Sequence, residues 1–516
     1  MMASSQTEEK SKLTWTDKSG NTYTYYEKPL LRVCSFILIQ EACERLAFYG
    51  LTPTFKPFLR DFYGFSDDAA NSFIFIFNGL SYASPIISAI ISDTFLGVYN
   101  TILVFSAVYF AGLVMVCVAA IDGIDQVWML YVGVWFLLSL GTGGIKSCIS
   151  VLGGQQIHPS QKETMTSFFT LFYAAINFGA IVGGFAVPAV CDEVSYFAGY
   201  AIPVVAFALA TAVLVIGSKR YVKVKPEGSV VLQICRVIGS AIASLSLKKC
   251  RKSQGGKYDD HFIDDAASLF SLIPFFAMII PFMVAYMQIS TVYESQTATM
   301  NRYIGSWQMP TPYMCNIDPI AVIVGAFVMD KLVYPKLRAM NKMPSIPLRV
   351  SFGFLLASAA NWCAMGVEML IMSSSPNSVS VWLQVPQFSL IAFGEIFVFA
   401  TALEVAYTKS PDSLKTVATA FYLLAMSISS FISRAIGGAC KPWFEVKRYD
   451  LYYIVLASLC GAFAVLAFFL RGYFERAFAR AEAQKEISAS RNSLIVVKTE
   501  EATEESEVPV MEKGTA

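Results

Sequence analysis

The chain has 516 residues, of which 55% are hydrophobic and 15% are charged, and its mean hydropathy is +0.53. A typical soluble domain carries about 25% charged residues, so this composition excludes an ordinary soluble protein and favours one whose apolar surface is solvated by a lipid bilayer. The net charge of +1, without a basic domain in the sequence, argues against nucleic acid as a partner.

Twelve apolar runs are long enough to cross roughly 30 Å of hydrocarbon as helices. They lie near 31–57, 69–92, 100–121, 127–152, 165–188, 196–216, 268–297, 312–332, 348–373, 381–407, 413–437 and 450–472. The sequence therefore predicts an all-α integral membrane protein with two six-helix halves. The predicted divisions are an N-terminal tail (1–30), the two halves (31–216 and 268–472), a polar linker (217–267) between them and a charged tail (473–516).

Basic residues are concentrated on one side of the predicted membrane. The linker holds ten between Lys219 and Lys257, and the segment after the eighth span holds five between Lys331 and Arg349. Connections on the other side are shorter and poorer in Lys and Arg, except for 441–448. The positive-inside rule then predicts that both termini and the linker are cytoplasmic. Two six-helix halves joined by such a linker indicate the major facilitator architecture, with a central site between the halves.

The linker and the two terminal tails also carry structural signals. The segment 229–246 of the linker reads as an amphipathic helix on the membrane surface, and a thirteenth span is the competing interpretation. After the last span, 473–486 is predicted to continue as helix and 499–516, rich in Glu, to be disordered. The first 28 residues are polar, so we expect no cleaved signal peptide. We expect the protein to lie in either the plasma membrane or an endomembrane.

The first predicted span carries ionisable residues where a bilayer disfavours them. A charge at the centre of a spanning helix costs about 2.5–3.5 kcal/mol on insertion scales. Nevertheless Glu41, Glu44 and Arg45 occur together and, with Phe48 and Tyr49, occupy an arc of roughly 140°. This face is predicted to line a water-filled cavity. The alternative is an internal ion pair that only holds helices together.

Other spans carry isolated polar residues. The fourth span has Lys146 in GTGGIKSC, which either faces a cavity or extends to the membrane interface. The fifth span has Asn177, which alone could be a packing contact, and the second has Tyr82, by default a core residue. In the C-terminal half, the tenth span has Glu395 at its centre. The seventh and eighth spans contain other polar residues, namely Gln288, Glu294 and Asp318.

These residues lie in motifs that resemble one family. The segment EACERLAFYG (41–50) resembles the ExxER…YG motif of the proton-dependent oligopeptide transporter family, also called the peptide transporter family. The fourth, fifth and tenth spans resemble its GTGGIKP, FYxxIN and tenth-helix motifs, and the resemblance covers 30–475. By this resemblance the fold is that of the major facilitator superfamily, and protons are the coupling ion without any cofactor or metal.

The resemblance also implies roles for individual residues. Four positions match the family's proton-coupling residues: Glu41, Glu44, Arg45 and Lys146. Seven positions match or adjoin substrate-binding positions: Arg45, Tyr49, Tyr82, Lys146, Asn177, Gln288 and Glu395. This sequence differs from the family pattern at two positions. Thr52 stands where peptide-transporting members often have a second arginine, and Tyr286 stands where some plant nitrate carriers have histidine.

The function predicted from these observations is proton-coupled symport of di- and tripeptides by alternating access. The alternatives are a proton-coupled carrier of nitrate or another small organic solute, and a nutrient-sensing receptor with the same fold. A membrane enzyme is excluded because no reactive set of side chains occurs at a suitable spacing: the two histidines, His158 and His261, lie in polar connecting segments.

Overall fold

The computed structural model describes residues 13–16, 20–124, 126–226 and 228–506, apart from the side chains of 412 and 489–506. Within these ranges ten helices are long and apolar enough to cross a membrane. Their bounds are Asp67–Leu96, Val98–Ala119, Val127–Gly154, Lys162–Glu193, Tyr196–Lys219, Asp260–Met278, Ile346–Ser373, Val381–Thr408, Lys415–Ala439 and Tyr449–Phe469. Each of them overlaps one of the predicted spans.

The two remaining predicted spans are also helical. The first is the helix Ser35–Pro57, flanked by π-helical turns at Leu30–Cys34 and Phe58–Phe62. The eighth is the helix Ile317–Val328, which continues through a π-helical turn at Met329–Val333 into Tyr334–Ala339. The twelve-span arrangement of two six-helix halves therefore fits the described residues.

The seventh span differs from the prediction of one continuous run at 268–297. It begins earlier, at Asp260, and consists of four helices: Asp260–Phe270, Ile273–Met278, Ile280–Tyr286 and Val292–Ala298. Pro274 and Pro281 lie at the start of the second and third of these helices, where a missing backbone N–H is tolerated. The polar residues before Val292 then form turns, so the apolar pattern alone did not reveal the breaks.

Side chains cap several helices and so fix where they begin. The Ser66 hydroxyl accepts from the backbone N–H of Ala69 at the second span, and Ser195 does the same for the sixth. Ser229 caps the helix Val230–Ser244, which we call the linker helix. This helix lies within the segment predicted to be amphipathic. Asp259 caps the seventh span, and this cap explains a start before residue 268.

The C-terminal helix, Arg471–Ser506, is longer than predicted. Helix was expected for 473–486 and disorder for 499–516, but the helix extends through Ser506, and 507–516 lie outside the described residues. The segment is rich in Ala, Glu, Lys and Arg, which favour helix. Phe474 and Phe478 bury their rings against Phe275 of the seventh span, and these contacts anchor the first part of the C-terminal helix.

The other described elements are short. Strands Leu13–Thr16 and Thr22–Tyr25 form one antiparallel hairpin, and Tyr303–Ile304 and Trp307–Gln308 form another. Short 3₁₀ or α-helical segments complete the chain: Gly217–Lys219, Lys248–Cys250, Lys252–Gln254, Thr311–Asn316, Val381–Gln384, Asp412–Leu414 and Lys441–Glu445. We call the end of the molecule that carries the N-terminal hairpin, the linker and the C-terminal helix the linker side.

Glycines bring the fourth span close to its neighbours. A Cβ added at Gly143 would collide with Ser84 of the second span, and one at Gly144 would collide with Phe105 of the third. The close approach lets the Ser84 hydroxyl donate to the Ser139 carbonyl at 2.6 Å. The glycines thus have the packing role that small residues serve between membrane helices, and they position Lys146 two residues further along.

Candidate functional site

The charged face of the first span forms a buried ion cluster. Arg45 Nε lies 3.2 Å from Glu41, and its guanidinium also contacts Glu44. Glu44 has no exposed surface, and its other oxygen accepts a hydrogen bond from Thr142 of the fourth span at 2.6 Å. Two carboxylates therefore share one guanidinium, and the predicted set of Glu41, Glu44 and Arg45 is brought together.

Lys146 lies beside this cluster, on the fourth span. Its ammonium is 4.1 Å from the centre of the Phe48 ring and 5.4 Å from that of Tyr82, which is cation–π geometry. No salt bridge formed by the described residues includes Lys146. An ammonium held against aromatic faces, with no carboxylate at contact distance, is available to an anionic group that enters the space in front of it.

A cavity of about 360 Å³ lies in front of Lys146, toward the linker side. The second and fourth spans form one wall, and the linker helix and the eleventh span form the other. Its lining includes Tyr82, Lys146, Ser150, Val231, Lys415 and Thr419. The space is of the size usual for small-molecule sites, about 300–1,000 Å³.

A second cavity, of about 110 Å³, lies deeper between the two halves. Tyr82 lines both cavities, and the remaining lining includes Tyr49, Thr52, Tyr286, Asn316 and Asp318. Tyr49 and Tyr82, two predicted binding residues, thus meet residues of the seventh and eighth spans. We call this space the central cavity.

The C-terminal wall of the central cavity is acidic. The Tyr286 hydroxyl donates to Asp318 Oδ2 at 3.4 Å, and the Glu395 carboxylate lies near both residues. Asp318 Oδ1 and Glu395 Oε2 are buried and have no hydrogen-bond partner among the described residues. Asp318, which the prediction had not placed in the site, lines the central cavity, whereas Glu395, predicted as a binding residue, lies near Asp318 but outside the lining.

Four predicted binding residues do not line either cavity in this structure, namely Arg45, Asn177, Gln288 and Glu395. Gln288 is fully buried in the C-terminal half, where it donates to the Val284 carbonyl at 2.7 Å and accepts from Tyr452 at 3.2 Å. Asn177 donates to the Tyr173 carbonyl of its own helix at 2.8 Å. The roles of Gln288 and Asn177 as binding residues therefore remain predictions that rest on the resemblance alone.

A buried ion pair joins the two halves on the side opposite the linker. Lys56 Nζ lies 3.9 Å from Glu294 Oε2, and both side chains are fully buried. Lys56 also donates to the Thr291 carbonyl at 2.5 Å and contacts the Ser295 hydroxyl, and Glu294 accepts from Thr311 at 2.7 Å. Lys56 lies one helical turn after Thr52, so a cation is present on the same face of the first span.

Other polar contacts also connect the halves on this side. Asn316 donates to the Gly184 carbonyl at 2.7 Å, and Tyr313 donates to the Phe185 carbonyl at 3.0 Å. Sequence reasoning missed Lys56, Glu294 and Asp318 as site residues, although each is an ionisable residue within or beside a predicted span. An ionisable residue in a span indicates that its side chain has a polar role. The sequence does not identify the partner of that side chain, because the partner lies in a distant part of the chain.

Comparison with known proteins identifies the family to which this chain is similar. A family model described as the POT family matches residues 99–441. The chain is 28% identical over 478 residues to protein NRT1/PTR family 8.5 of Arabidopsis thaliana, covering 78% of this chain and 81% of the relative. It is 29% identical over 463 residues to the probable peptide transporter ptr2 of Schizosaccharomyces pombe, covering 79% and 74% respectively.

Solved structures share the fold. The crystal structure of the POT family transporter PepTSo superimposes with a TM-score of 0.75 at 21% identity, covering 87% of this chain and 98% of that one. An auto-inhibited POT family peptide transporter gives a TM-score of 0.73 at 22% identity, covering 86% and 96%. The chain is thus a multi-pass membrane transporter rather than an enzyme, and it belongs to the POT family.

Proposed function

We propose that this protein is a symporter that couples the uptake of di- and tripeptides to protons by alternating access. The observation that carries the proposal is the opposite charge of the two walls around the cavities. Lys146, which has no carboxylate at contact distance, supplies positive charge on the N-terminal side, whereas the charge of Arg45 is shared by Glu41 and Glu44. Asp318 and, behind it, Glu395 supply negative charge on the C-terminal side. A zwitterionic peptide carries a carboxylate at one end and an ammonium at the other, which matches this polarity.

The ion cluster of the first span is suited to proton coupling. Arg45 stabilises the charge of Glu41 and Glu44 while the cavity is empty. A substrate carboxylate that attracts Arg45 or Lys146 weakens that stabilisation, so one glutamate takes up a proton. The buried net charge then falls, and the halves are free to change their relative orientation.

The energy available from one proton is sufficient for accumulation. One elementary charge moving down 100 mV provides about 2.3 kcal/mol. A pH difference of one unit adds about 1.4 kcal/mol. The sum of about 3.7 kcal/mol supports a gradient of roughly 500-fold for a neutral solute, since 1.4 kcal/mol corresponds to a tenfold ratio.

The contacts between the halves support an inward-facing state. The Lys56–Glu294 pair and its neighbours connect the halves on the side opposite the linker, whereas the larger cavity lies toward the linker side. Because basic residues are concentrated on the linker side, we assign that side and both termini to the cytoplasm. Substrate would then leave the cavity of about 360 Å³ into the cytoplasm.

Relatives support the substrate class. The relative in Schizosaccharomyces pombe is named a probable peptide transporter, and solved structures of POT family transporters contain alafosfalin or 5-aminolevulinic acid. Each of these names and ligands belongs to the relative concerned. For this chain they favour a small substrate, and the charge polarity of the cavity walls favours a peptide.

The test is uptake by the full chain in proteoliposomes with an imposed pH gradient and membrane potential. We expect dipeptide accumulation in the wild type. Glu44→Gln should abolish accumulation but leave counterflow exchange measurable, because the binding cavity is retained. Glu163→Gln, an exposed glutamate at the start of the fifth span, is the matched control and should behave as the wild type.

Substrate identity is tested in the same vesicles. Glu395→Gln should reduce the dipeptide-evoked current steeply, whereas Glu404→Gln, in the same span but 41% exposed and paired with Arg349, should reduce it little. Proton-coupled nitrate uptake without a response to any dipeptide would overturn the peptide assignment in favour of another solute. Dipeptide binding without any proton current would instead indicate a receptor.

A further inference from the structure

The last helix of the seventh span, Val292–Ala298, is separated from the rest of that span by a break in the helical backbone. Residues 287–291 form turns, and Thr291, with φ −130° and ψ −91°, lies outside the helical region. A continuous helix transmits the direction of its axis from turn to turn, whereas this seven-residue helix needs other contacts to fix its orientation. We call it the gate helix, because it carries Glu294, the partner of Lys56 across the two halves.

Two polar side chains project from opposite faces of the gate helix. At about 100° per residue, Glu294 and Gln296 are separated by roughly 200° around the helix axis. Glu294 faces the N-terminal half, where Lys56 Nζ lies 3.9 Å from its Oε2, and Gln296 faces the ninth and tenth spans of its own half. A rotation of the helix that displaces one of these side chains therefore displaces the other.

Every hydrogen-bonding position of the Gln296 amide is occupied. Its Nε2 donates to the Glu368 carboxylate at 2.8 Å and to the Ala364 carbonyl at 2.9 Å, both in the ninth span. Its Oε1 accepts from Gln384 at 2.9 Å and from Gln387 at 3.0 Å, both in the tenth span. A side-chain amide has two donor hydrogens and two acceptor lone pairs, so these four bonds fix both its position and its rotation.

Four buried side chains form this arrangement, and we call them the amide network: Gln296, Glu368, Gln384 and Gln387. The Thr297 hydroxyl also donates to Gln384 Oε1 at 2.7 Å, and Gln384 Nε2 donates to the Tyr293 carbonyl at 3.2 Å. Residues on both sides of Glu294 are therefore attached to the tenth span. Because a buried polar group that loses its partner is destabilised, a fully bonded network of this kind holds one arrangement.

We propose that Gln296 and Glu368 are positioning residues for the contact that closes the side opposite the linker. The amide network holds the gate helix in the orientation in which Glu294 reaches Lys56. The hydrogen bonds of Gln296 all lie within the C-terminal half, so the network acts on the other half only through the ion pair. This role rests on the proposed alternating access, and it assigns control of the closed state to residues that line neither cavity.

The experiment measures access to the thiol of Cys315 from the side opposite the linker. Cys315 is buried, lines the central cavity and donates to the Ile289 carbonyl at 3.5 Å, in the turns before the gate helix. A membrane-impermeant maleimide is added to oriented proteoliposomes of the full chain without substrate, and mass spectrometry follows the labelled fraction of Cys315. Gln296→Leu keeps a similar volume but removes four hydrogen bonds, and we expect roughly tenfold faster labelling than in the wild type.

A double-mutant cycle identifies the route of this effect. In the Lys56→Met background no ion pair is left to weaken, so Gln296→Leu should accelerate labelling little further. Glu368→Gln keeps an oxygen that accepts from Gln296 and should label as the wild type does, whereas Glu368→Leu should resemble Gln296→Leu. Gln308→Leu changes an exposed glutamine on the same side of the molecule and is the matched control, with no expected effect.

The possible results are distinct. Acceleration by Gln296→Leu that is equally large with and without Lys56 would overturn positioning through the ion pair and leave the network a role in the stability of the C-terminal half alone. Unchanged labelling in Gln296→Leu and Glu368→Leu would also overturn the proposal. If Gln296→Leu does not elute as a monodisperse protein, the two Glu368 variants carry the same cycle. Absence of dipeptide uptake by the wild type would overturn the proposed substrate but not this test, because labelling requires no substrate.

Discussion

Replacing Lys56 by methionine removes the cation of the buried pair that joins the two halves. Methionine fills a similar volume, so the change mainly leaves the Glu294 carboxylate unpaired when the halves are in contact. The charges are 3.9 Å apart, and at an effective dielectric constant of about 20 unit charges at that distance attract by about 4 kcal/mol. A loss of about 4 kcal/mol corresponds to a roughly thousandfold shift away from the contacted state, because each 1.4 kcal/mol is tenfold.

The native Cys315 can report this shift. Its thiol is buried, lines the central cavity and lies near both Lys56 and Glu294. A membrane-impermeant maleimide added from the side opposite the linker should label Cys315 much faster in Lys56→Met than in the wild type. The same variant with Cys315→Ser defines the signal of this one cysteine against the other ten.

Two comparisons make the labelling test decisive. Arg60→Met removes a partly exposed pair at the same end of the first span, where such pairs contribute about 0–1 kcal/mol, so it should change labelling little. Lys56→Met combined with Glu294→Gln removes both charges and should label more slowly than Lys56→Met alone. An unchanged labelling rate in Lys56→Met, or a double variant labelled as fast as the single one, would refute the reasoning.

Three further predictions concern binding and packing. Lys146→Ala should raise the dipeptide KM roughly 10- to 100-fold, because a hydrogen bond to a charged group contributes about 1.5–3 kcal/mol, whereas Lys249→Ala in the linker should leave it unchanged in the same uptake assay. Gly143→Ala should lower the thermal unfolding temperature in detergent, since overpacking costs about 1–3 kcal/mol, while Gly239→Ala, which has open space, should not. Phe478→Ala should also lower that temperature, because truncating a buried Phe costs about 3–5 kcal/mol; no change would mean that the C-terminal helix is not anchored there.

The apolar pattern predicted most of the fold because a bilayer imposes one strong rule. A spanning helix must be apolar over about twenty residues, and the sixth span, predicted at 196–216, is the helix Tyr196–Ile216. The seventh span was predicted less well. Its breaks depend on Pro274, on Pro281 and on the turns before Val292, which are local conformational effects inside a segment that is still largely apolar.

From the residues themselves, proximity within the site was predictable only where its members are close in sequence, whereas Tyr82 and Lys146 were assigned to the site by the family resemblance. Glu41, Glu44 and Arg45 lie on one helical face, so their proximity follows from helix geometry. The pairing of Lys56 with Glu294 joins residues on different halves, and a helical pattern carries no information about such a contact. Gln288 was predicted to bind substrate but is buried, because the hydrogen bonds of a polar residue in a span can be made by buried neighbours as well as by groups in a cavity.

The linker helix contacts more than the membrane surface. Val231 and Ile234 are buried in the core of the C-terminal half, and Val231 also lines the larger cavity opposite the second span. The linker therefore packs against both halves in addition to connecting them along the chain. If the protein were produced as two separate polypeptides, reassembly into a working carrier should depend on which fragment retains Val230–Ser244, and a flexible glycine–serine replacement of the same length should not substitute for it.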